Sequence, residues 1–310
     1  MAAEAQAPAN TVRIGWLGLA APTPEVLRVV NAFKNGLREL GYVDGQNLAF
    51  EYRWAHGQSD RLRPLVAELI RLKVDVIAAG NTQSVTVAKD ATSTIPIVAI
   101  GPEPQSLGLG ANLARPGGNV TGVSLIAGPE IGGKCLELLT EAVPRVSRVA
   151  LLIRADHPGH GSVVKEVLAA ARPVKVTIQT VKARTPQDLE SAFAEMRRGR
   201  AEALVVLADA VFFQHRTRIA DLAAKGRLPT IYGMTEHAEA GGLMAYAANF
   251  EEVAQRAASH VDRILKGASP GDLPVERPTR FDLTINARTA KALGLTMPRS
   301  LLSRAERVIE

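Results

Sequence analysis

The residues best suited to chemistry in this chain are short clusters of hydrogen-bonding side chains, each placed where a helix would begin. Thr23 precedes Pro24-Glu25, Asn81-Thr82-Gln83-Ser84 follows an apolar run, and Asp156–Ser162, which includes His157, precedes another helical pattern. A helix N-terminus presents free N–H groups and the positive end of a dipole, which suits a carboxylate or phosphate without catalytic machinery. Two readings stay open for Thr82, Ser84 and Ser162: they cap their own helices, or they meet a ligand. Both roles coexist when cap and ligand use different N–H groups. Arg154 closes an apolar run, and is either a bidentate clamp for a carboxylate or a solvated strand end.

Other chemistries find little footing. Gly15-x-x-Gly18 is a fragment of a dinucleotide fingerprint, but no complete G-x-G-x-x-G or phosphate loop follows, which argues against a nucleotide fold. His157-x-x-His160 has the spacing of two metal ligands in a loop rich in Gly and Pro, with no third ligand in evidence, so no metal is expected. There is no G-x-S-x-G elbow and no Cys/His pairing. An enzyme would have to draw on Glu103, Asp156, Asp209 and Glu236, the only acids in the loops of interest, and no cofactor is expected. Cys135 is the sole cysteine, set among leucines as a small buried thiol, so no intrachain disulfide can form. Trp16, Phe212 and Tyr232 read as core rings, and Trp54 as part of a second strand away from the binding end.

The elements that must position these groups follow from periodicity. Val12–Leu17, Asn47–Trp54, Val74–Ala79 and Ile95–Ile100 are apolar strand runs, alternating with helical patterns over 24–40, from a Ser59 cap through Leu69, and from 84 to 92. Leu113–Ser124, with Gly117-Gly118-Asn119 followed by a β-branched run, reads as a crossing between two lobes. The pattern then restarts: a helix at Ile131–Val143, strands at Arg148–Ile153 and Val174–Val181, and a helix opening on Thr185-Pro186-Gln187-Asp188 with threonine as its cap. It continues with Ala203–Leu207, a single helix Phe212–Ala224, strands Thr230–Tyr232 and Leu243–Tyr246, a helix Phe250–Leu265, a Pro-rich link from Pro270 to Pro278, and a strand Arg280–Ile285. Strands alternating with helices of this length mean α/β architecture with parallel sheets, whose ligands gather at the carboxyl ends of the strands. A chain of 310 residues, 46% hydrophobic and 22% charged, suffices for two such lobes. The formal charge of +6 is spread along the chain and aromatics are only 4%, which argues against a nucleic-acid face. No apolar run reaches the ~18 residues of a membrane span. The opening MAAEAQAPANTV fits either a cytosolic start or the stub left by a removed export signal.

From Arg13 to Glu310 the chain resembles the substrate-binding proteins of bacterial ABC transporters, in the family that includes the tryptophan/tyrosine-type uptake proteins. The resemblance is carried by RIGWLG, FKNGLRELGYVDGQNLAFEYRWAHG, DRLRPLVAELIRLKVDVIAAG, TSTIPIVAIG, NLARPGGNVTGVS, LPTIYGMTEHAEAGGLMAYAAN and the stretch from VDRILKG to the end. It implies a type I periplasmic-binding-protein fold: two Rossmann-like lobes joined by three crossings, residues 12–122 plus about 247–277 and 123–246 plus about 278–310, closing on a ligand by a hinge. It further implies export to the periplasm, a small-molecule ligand, an ABC permease in the inner membrane as partner, a monomer or dimer, and no catalysis. The family's ligand-facing loops fall on Leu19–Thr23, Asn81–Ser84, Glu103–Gln105, Ser124, Asp156–Pro158, Asp209–Phe212 and Tyr232–Glu236. These loops also hold the departures: Gly80-Asn81-Thr82 stands where relatives carry a G-T-P-like turn, Pro102-Glu103-Pro104 where they carry G-D-P, and Arg154 where they carry Asn. The expected ligand is therefore an amino acid or a carboxylated compound, aromatic ones included, with Arg154 expected to favour one lacking an ammonium group. The rival reading from a different class is the sensing domain of a regulator or chemoreceptor.

Overall fold

A computed structural model describes residues 11–102, 104–109, 113–126, 128–157 and 159–310. The chain divides into two compact units, Met1–Ile126 with Asn249–Pro278 and Ala127–Ala248 with Thr279–Glu310, so it passes between them three times.

The first unit is built on β1 (Val12–Gly18), α1 (Pro24–Glu39), β2 (Leu48–Trp54), α2 (Leu62–Arg71), β3 (Val76–Ala79), α3 (Thr82–Ala91), β4 (Ile97–Gly101) and β5 (Val120–Ser124). The second contributes α4 (Ile131–Ala142), β6 (Arg148–Arg154), α5 (His160–Ala171), β7 (Thr177–Ala183), α6 (Asp188–Arg198), β8 (Ala203–Val206), α7 (Ala210–Gln214), α8 (Arg216–Lys225), β9 (Thr230–Tyr232), α9 (Thr235–Glu239) and β10 (Met244–Ala248). The chain returns to the first unit for α10 (Phe250–Leu265) and β11 (Val275–Glu276), then ends in the second with β12 (Phe281–Asn286), α11 (Ala287–Leu293), α12 (Arg299–Leu302) and β13 (Ala305–Ile309).

The first sheet runs β11-β5-β4-β3-β1-β2, parallel throughout. The second runs β13-β12-β10-β9-β8-β6-β7, parallel except where β10 meets β12. Strand order reverses beside β1 in one unit and beside β6 in the other, and at such points the flanking loops diverge and leave room for a ligand.

Each sheet is covered on both faces. In the first, Phe33 and Leu37 of α1 and Val253, Ala257 and Val261 of α10 close one face, while α2 and α3 close the other with Val66, Leu69 and Val85. Helices α1 and α10 approach so closely that a Cβ on Gly36 would lie 2.4 Å from the Gln255 carbonyl oxygen, so only glycine fits. Each fully buried leucine or phenylalanine here is worth roughly 1.5–3 kcal/mol against exposure.

Four helices stop in the same way. Lys73, Lys175, Arg200 and Arg227 take left-handed backbone conformations, with φ of 53, 55, 55 and 51°. In each case the next residue's N–H bonds back to a carbonyl five residues earlier: Val74 to Leu69, Val176 to Ala171, Ala201 to Met196, Leu228 to Ala223. This is the helix-stop geometry usually given to glycine, here carried by basic residues whose charge suits the negative end of the helix dipole.

Several expectations are corrected. Leu113–Ser124 is not a crossing: its β-branched half is β5, hydrogen-bonded between β4 and β11 inside the first sheet. Ser59 does not cap α2. It opens a 3-10 turn, Ser59–Arg61, and its hydroxyl donates to Gln83 Oε1. The Thr185 side chain does not start α6; a turn through Pro186 precedes it, and Asp188 Oδ2 accepts the N–H groups of Arg184 and Thr185. The expected helix Phe212–Ala224 is two, broken at His215, where the Arg216 guanidinium donates to the Phe213 carbonyl and lies 4.8 Å from its ring. Strand β7 begins at Thr177 rather than Val174, because Lys175 is in the helix stop and Val174 is 51% exposed. The Pro-rich link holds β11, and the last strand, β13, joins the second sheet.

Candidate functional site

At the carboxyl ends of the first sheet, the chain leaves β1 into Leu19–Thr23, β3 into Asn81–Ser84, and β5 through Ser124. Leu19 is half-buried against the α2/α3 side of the core. Thr23 caps α1, its Oγ1 accepting the Val26 N–H at 3.4 Å. The cap of α3 is Asn81 rather than Thr82 or Ser84: Asn81 Oδ1 accepts the Ser84 N–H, and Asn81 Nδ2 donates to Ser84 Oγ, both at 2.9 Å. Thr82 is half-buried and Gln83 exposed. Ser124 is fully buried, with Oγ accepting the Ile126 N–H at 2.9 Å. Glu103 and the Gln105 side chain lie outside the described residues. Much of this polar set is thus used in fixing the loops that carry it.

At the carboxyl ends of the second sheet the chemistry is charged. The Arg154 Nε donates to Asp156 Oδ1 at 2.8 Å, and an Arg154 terminal nitrogen lies 3.4 Å from Asp209 Oδ2. The Asp209 side chain is only 1% exposed and its other oxygen caps α7, accepting the N–H groups of Val211 and Phe212. The hydrogen bond to Asp156 raises the Arg154 pKa, and the same bond lowers that of Asp156. His160, buried, accepts the Arg154 N–H at Nδ1 and approaches the Ala208 carbonyl with Nε2, at 3.0 and 3.2 Å. His157 stacks on it with ring centroids 3.9 Å apart and accepts the Gly159 N–H.

Those residues include a geometric trio: His157, His160 and Asp209 each bring one donor atom within 4.8 Å of the others. The trio does not fit a cation. Both His160 nitrogens face backbone partners, Asp209 caps a helix, and the Arg154 guanidinium beside it repels positive charge.

Phe212 and Tyr232, core rings by residue type although they fall in the ligand-facing loops that the resemblance implies, are buried core residues. Both are buried among Leu189, Phe193 and Ile219, because α7 and β9 turn those faces inward. Tyr232 stacks on His237, ring centroids 4.7 Å apart, and burial pushes the His237 pKa down to about 4. Glu236, on α9, is half-buried. The Cys135 thiol is buried and pushed up to about 12, leaving no thiolate nucleophile.

Sequence reasoning passed over Trp54. As the last residue of β2 it pairs in register with Gly18 of β1, at the same end of the sheet as Leu19 and Asn81. The signal available was its position, immediately before the turn Ala55-His56-Gly57.

Comparison with known proteins adds the family. Residues 22–309 match the family model described as ABC transporter substrate binding protein. A tyrosine-binding protein of Clostridioides difficile is 24% identical over 273 residues, spanning 88% of this chain and 78% of its own. Among solved structures, an L-Trp complex from Streptococcus pneumonia has a TM-score of 0.79 at 24% identity, covering 96% of this chain and all of its own. A ligand-free, open substrate-binding protein with adhesive properties from Clostridium difficile has a TM-score of 0.79 at 23% identity, over 96% and 99% of the two chains. The chain belongs to the ABC transporter substrate-binding protein family, and its fold is that of type I periplasmic binding proteins.

Proposed function

We propose that this protein captures an amino acid, or a closely related carboxylated solute, outside the cytoplasm and hands it unchanged to an ABC permease. The observation that carries the ligand class is the Arg154 network. Two carboxylates share one guanidinium, leaving a formal negative charge beside a donor, and this suits a zwitterion better than the ammonium-free acid expected from Arg154 alone. The tyrosine-binding relative points to the same class. Family membership favours transport over a sensing domain and supports the permease partner. Among the described residues no helix is long and apolar enough to cross a membrane, in keeping with a receptor that depends on a separate permease.

In this reading the second unit's charged network meets both ends of the ligand, the Arg154 guanidinium its carboxylate and the net negative charge of Asp156 and Asp209 its ammonium group, and ligand contacts made in only one of two conformations shift the equilibrium between them. The absence of chemistry is supported by Asp156 and Asp209 both being tied to Arg154. The test is a thermal-shift screen of ligand-stripped protein against amino acids, aromatic acids, sugars and nucleobases, with mass spectrometry of the recovered ligand. A true ligand at 100 times its dissociation constant adds roughly 2.7 kcal/mol. Hits confined to sugars or nucleobases, or a recovered ligand that has been chemically altered, would overturn the proposal. Arg154→Ala is expected to weaken amino-acid binding at least tenfold, roughly the loss of one charge-assisted hydrogen bond.

A further inference from the structure

The two tryptophans of the chain, Trp16 and Trp54, meet at the carboxyl end of the first sheet. Their ring centroids are 6.3 Å apart with planes at 45°. Trp54 is the half-buried end of a ladder along one face of β2: Phe50 stacks on Tyr52 at 5.5 Å and 12°, and Tyr52 on Trp54 at 6.3 Å and 4°. Such a ladder fixes the plane of the indole before any ligand arrives. The ring lies over Gly18 so closely that a Cβ there would fall 2.3 Å from Trp54 Cε3. Past the strand the pairing continues, Ala55 N–H to the Gly18 carbonyl and Gly57 N–H to that of Leu19, so the indole is held against the first candidate loop.

A second observation is independent of the first. Trp16 is 2% exposed, and among the described residues its Nε1–H has no acceptor. That nitrogen is 3.3 Å from where a Gly18 Cβ would stand, and the Gly80 Cβ position, beside Asn81, is 3.7 Å from the same indole. A buried donor costs free energy unless it is paired. Glycine at both positions sets no side chain of its own against this end of the indole, which leaves Trp54 as the ring beside it.

Resting on the amino-acid reading above, we propose that Trp54 is the specificity-determining residue of the first unit, a fixed aromatic face that selects a ligand carrying an aromatic ring, with the Trp16 Nε1–H beneath it as donor to the bound ligand. Aromatic pairs gain energy beyond their buried area, so the discrimination falls on ring-bearing ligands and spares aliphatic ones of similar size.

The experiment is calorimetric titration of the full chain with L-tyrosine, L-phenylalanine, L-leucine and L-glutamine, repeated for Trp54→Leu and Trp54→Phe, with circular dichroism confirming each fold. Trp54→Leu is expected to lose about tenfold in affinity for the two aromatic amino acids and less than about threefold for leucine, and Trp54→Phe to restore most of the loss. In Trp16→Phe, where Trp54 is the sole indole, L-tyrosine is expected to change the emission. Equal losses for aromatic and aliphatic ligands, or no loss, or an unchanged emission on tyrosine binding, would overturn the proposal while leaving the amino-acid reading standing. Wild-type protein that binds leucine or glutamine but neither aromatic amino acid overturns it in the same way. A wild-type protein that binds none of the four overturns this proposal, and hits confined to sugars or nucleobases in the wider screen overturn both.

Discussion

The carboxyl ends of the two sheets share a scaffold and differ in chemistry. In the first unit, Leu19–Thr23 and Asn81–Ser84 contain no charged residue, the caps are neutral side chains, and the prominent feature is a stacked aromatic ladder ending on Trp54. In the second, Arg154, Asp156 and Asp209 form a charged network braced by two stacked histidines. The contrast separates two chemistries on one architecture: stacked aromatic rings at one end, paired charges at the other. The carboxyl end of the first sheet should respond most to changes in ring volume, and that of the second to changes in charge.

The largest expected effect is on the second unit. His237 is held neutral by burial, its pKa about 4 against 6.5 for an exposed histidine. Its folded pKa is depressed, so the unfolded chain takes up a proton first, and stability present above pH ~6.5 is lost as pH falls towards ~4, by about 3 kcal/mol at the limit. Calorimetry across that range should show the second unit's transition moving down, with a separate downward shift in the first unit set by His260 of α10, also depressed by burial. His237→Phe, which keeps an aromatic ring against Tyr232, should flatten the pH slope, and a slope unchanged in that variant would break the contrast. Next in size is Gly18→Ala in the first unit. Overpacking the Trp54 ring should cost ~1–3 kcal/mol in urea unfolding, with a changed tryptophan emission and no new pH dependence. Smaller again is the second unit's own asymmetry. Asp209→Ala removes a helix cap and a buried partner of Arg154, and should cost ~1–2 kcal/mol, whereas Asp156→Ala at the exposed end of the same network should cost clearly less. Equal losses would mean that burial does not rank the two carboxylates.

Much of the scaffold is readable from local signals. Phe250–Leu265 and Thr230–Tyr232 are found as expected, the first because Asn249 caps it and its apolar periodicity runs unbroken, the second because Pro229 and Gly233 bound a short apolar run. The loops singled out for chemistry lie at strand carboxyl ends because alternating strands and helices oblige a parallel sheet. What escaped was set by strand order. Arg154 meets Asp209, 55 residues away, only because β6 pairs with β8. Trp54 reaches the carboxyl end of the first sheet beside Leu19 only because β2 lies beside β1 and residue 18 has no side chain. Gly117-Gly118 gives a strong turn signal and nothing local reveals that the run after it is an interior strand. Phe212 and Tyr232 are core rings, as their residue type suggests, and it is the ligand-facing role of their loops, implied by the resemblance, that α7 and β9 packing inward takes from these two side chains.

The three passages of the chain between units also set the order in which the molecule can be made. The first unit is incomplete until α10 and β11 have been synthesised: Tyr42 waits for Asp262, 220 residues later, and Glu39 for Gln255, 216 later. The second unit waits in turn for β12 and β13, at the very end of the chain. Neither unit has its full set of strands until the chain has passed through most of the other, so each sheet is completed by long-range pairing rather than by local contacts.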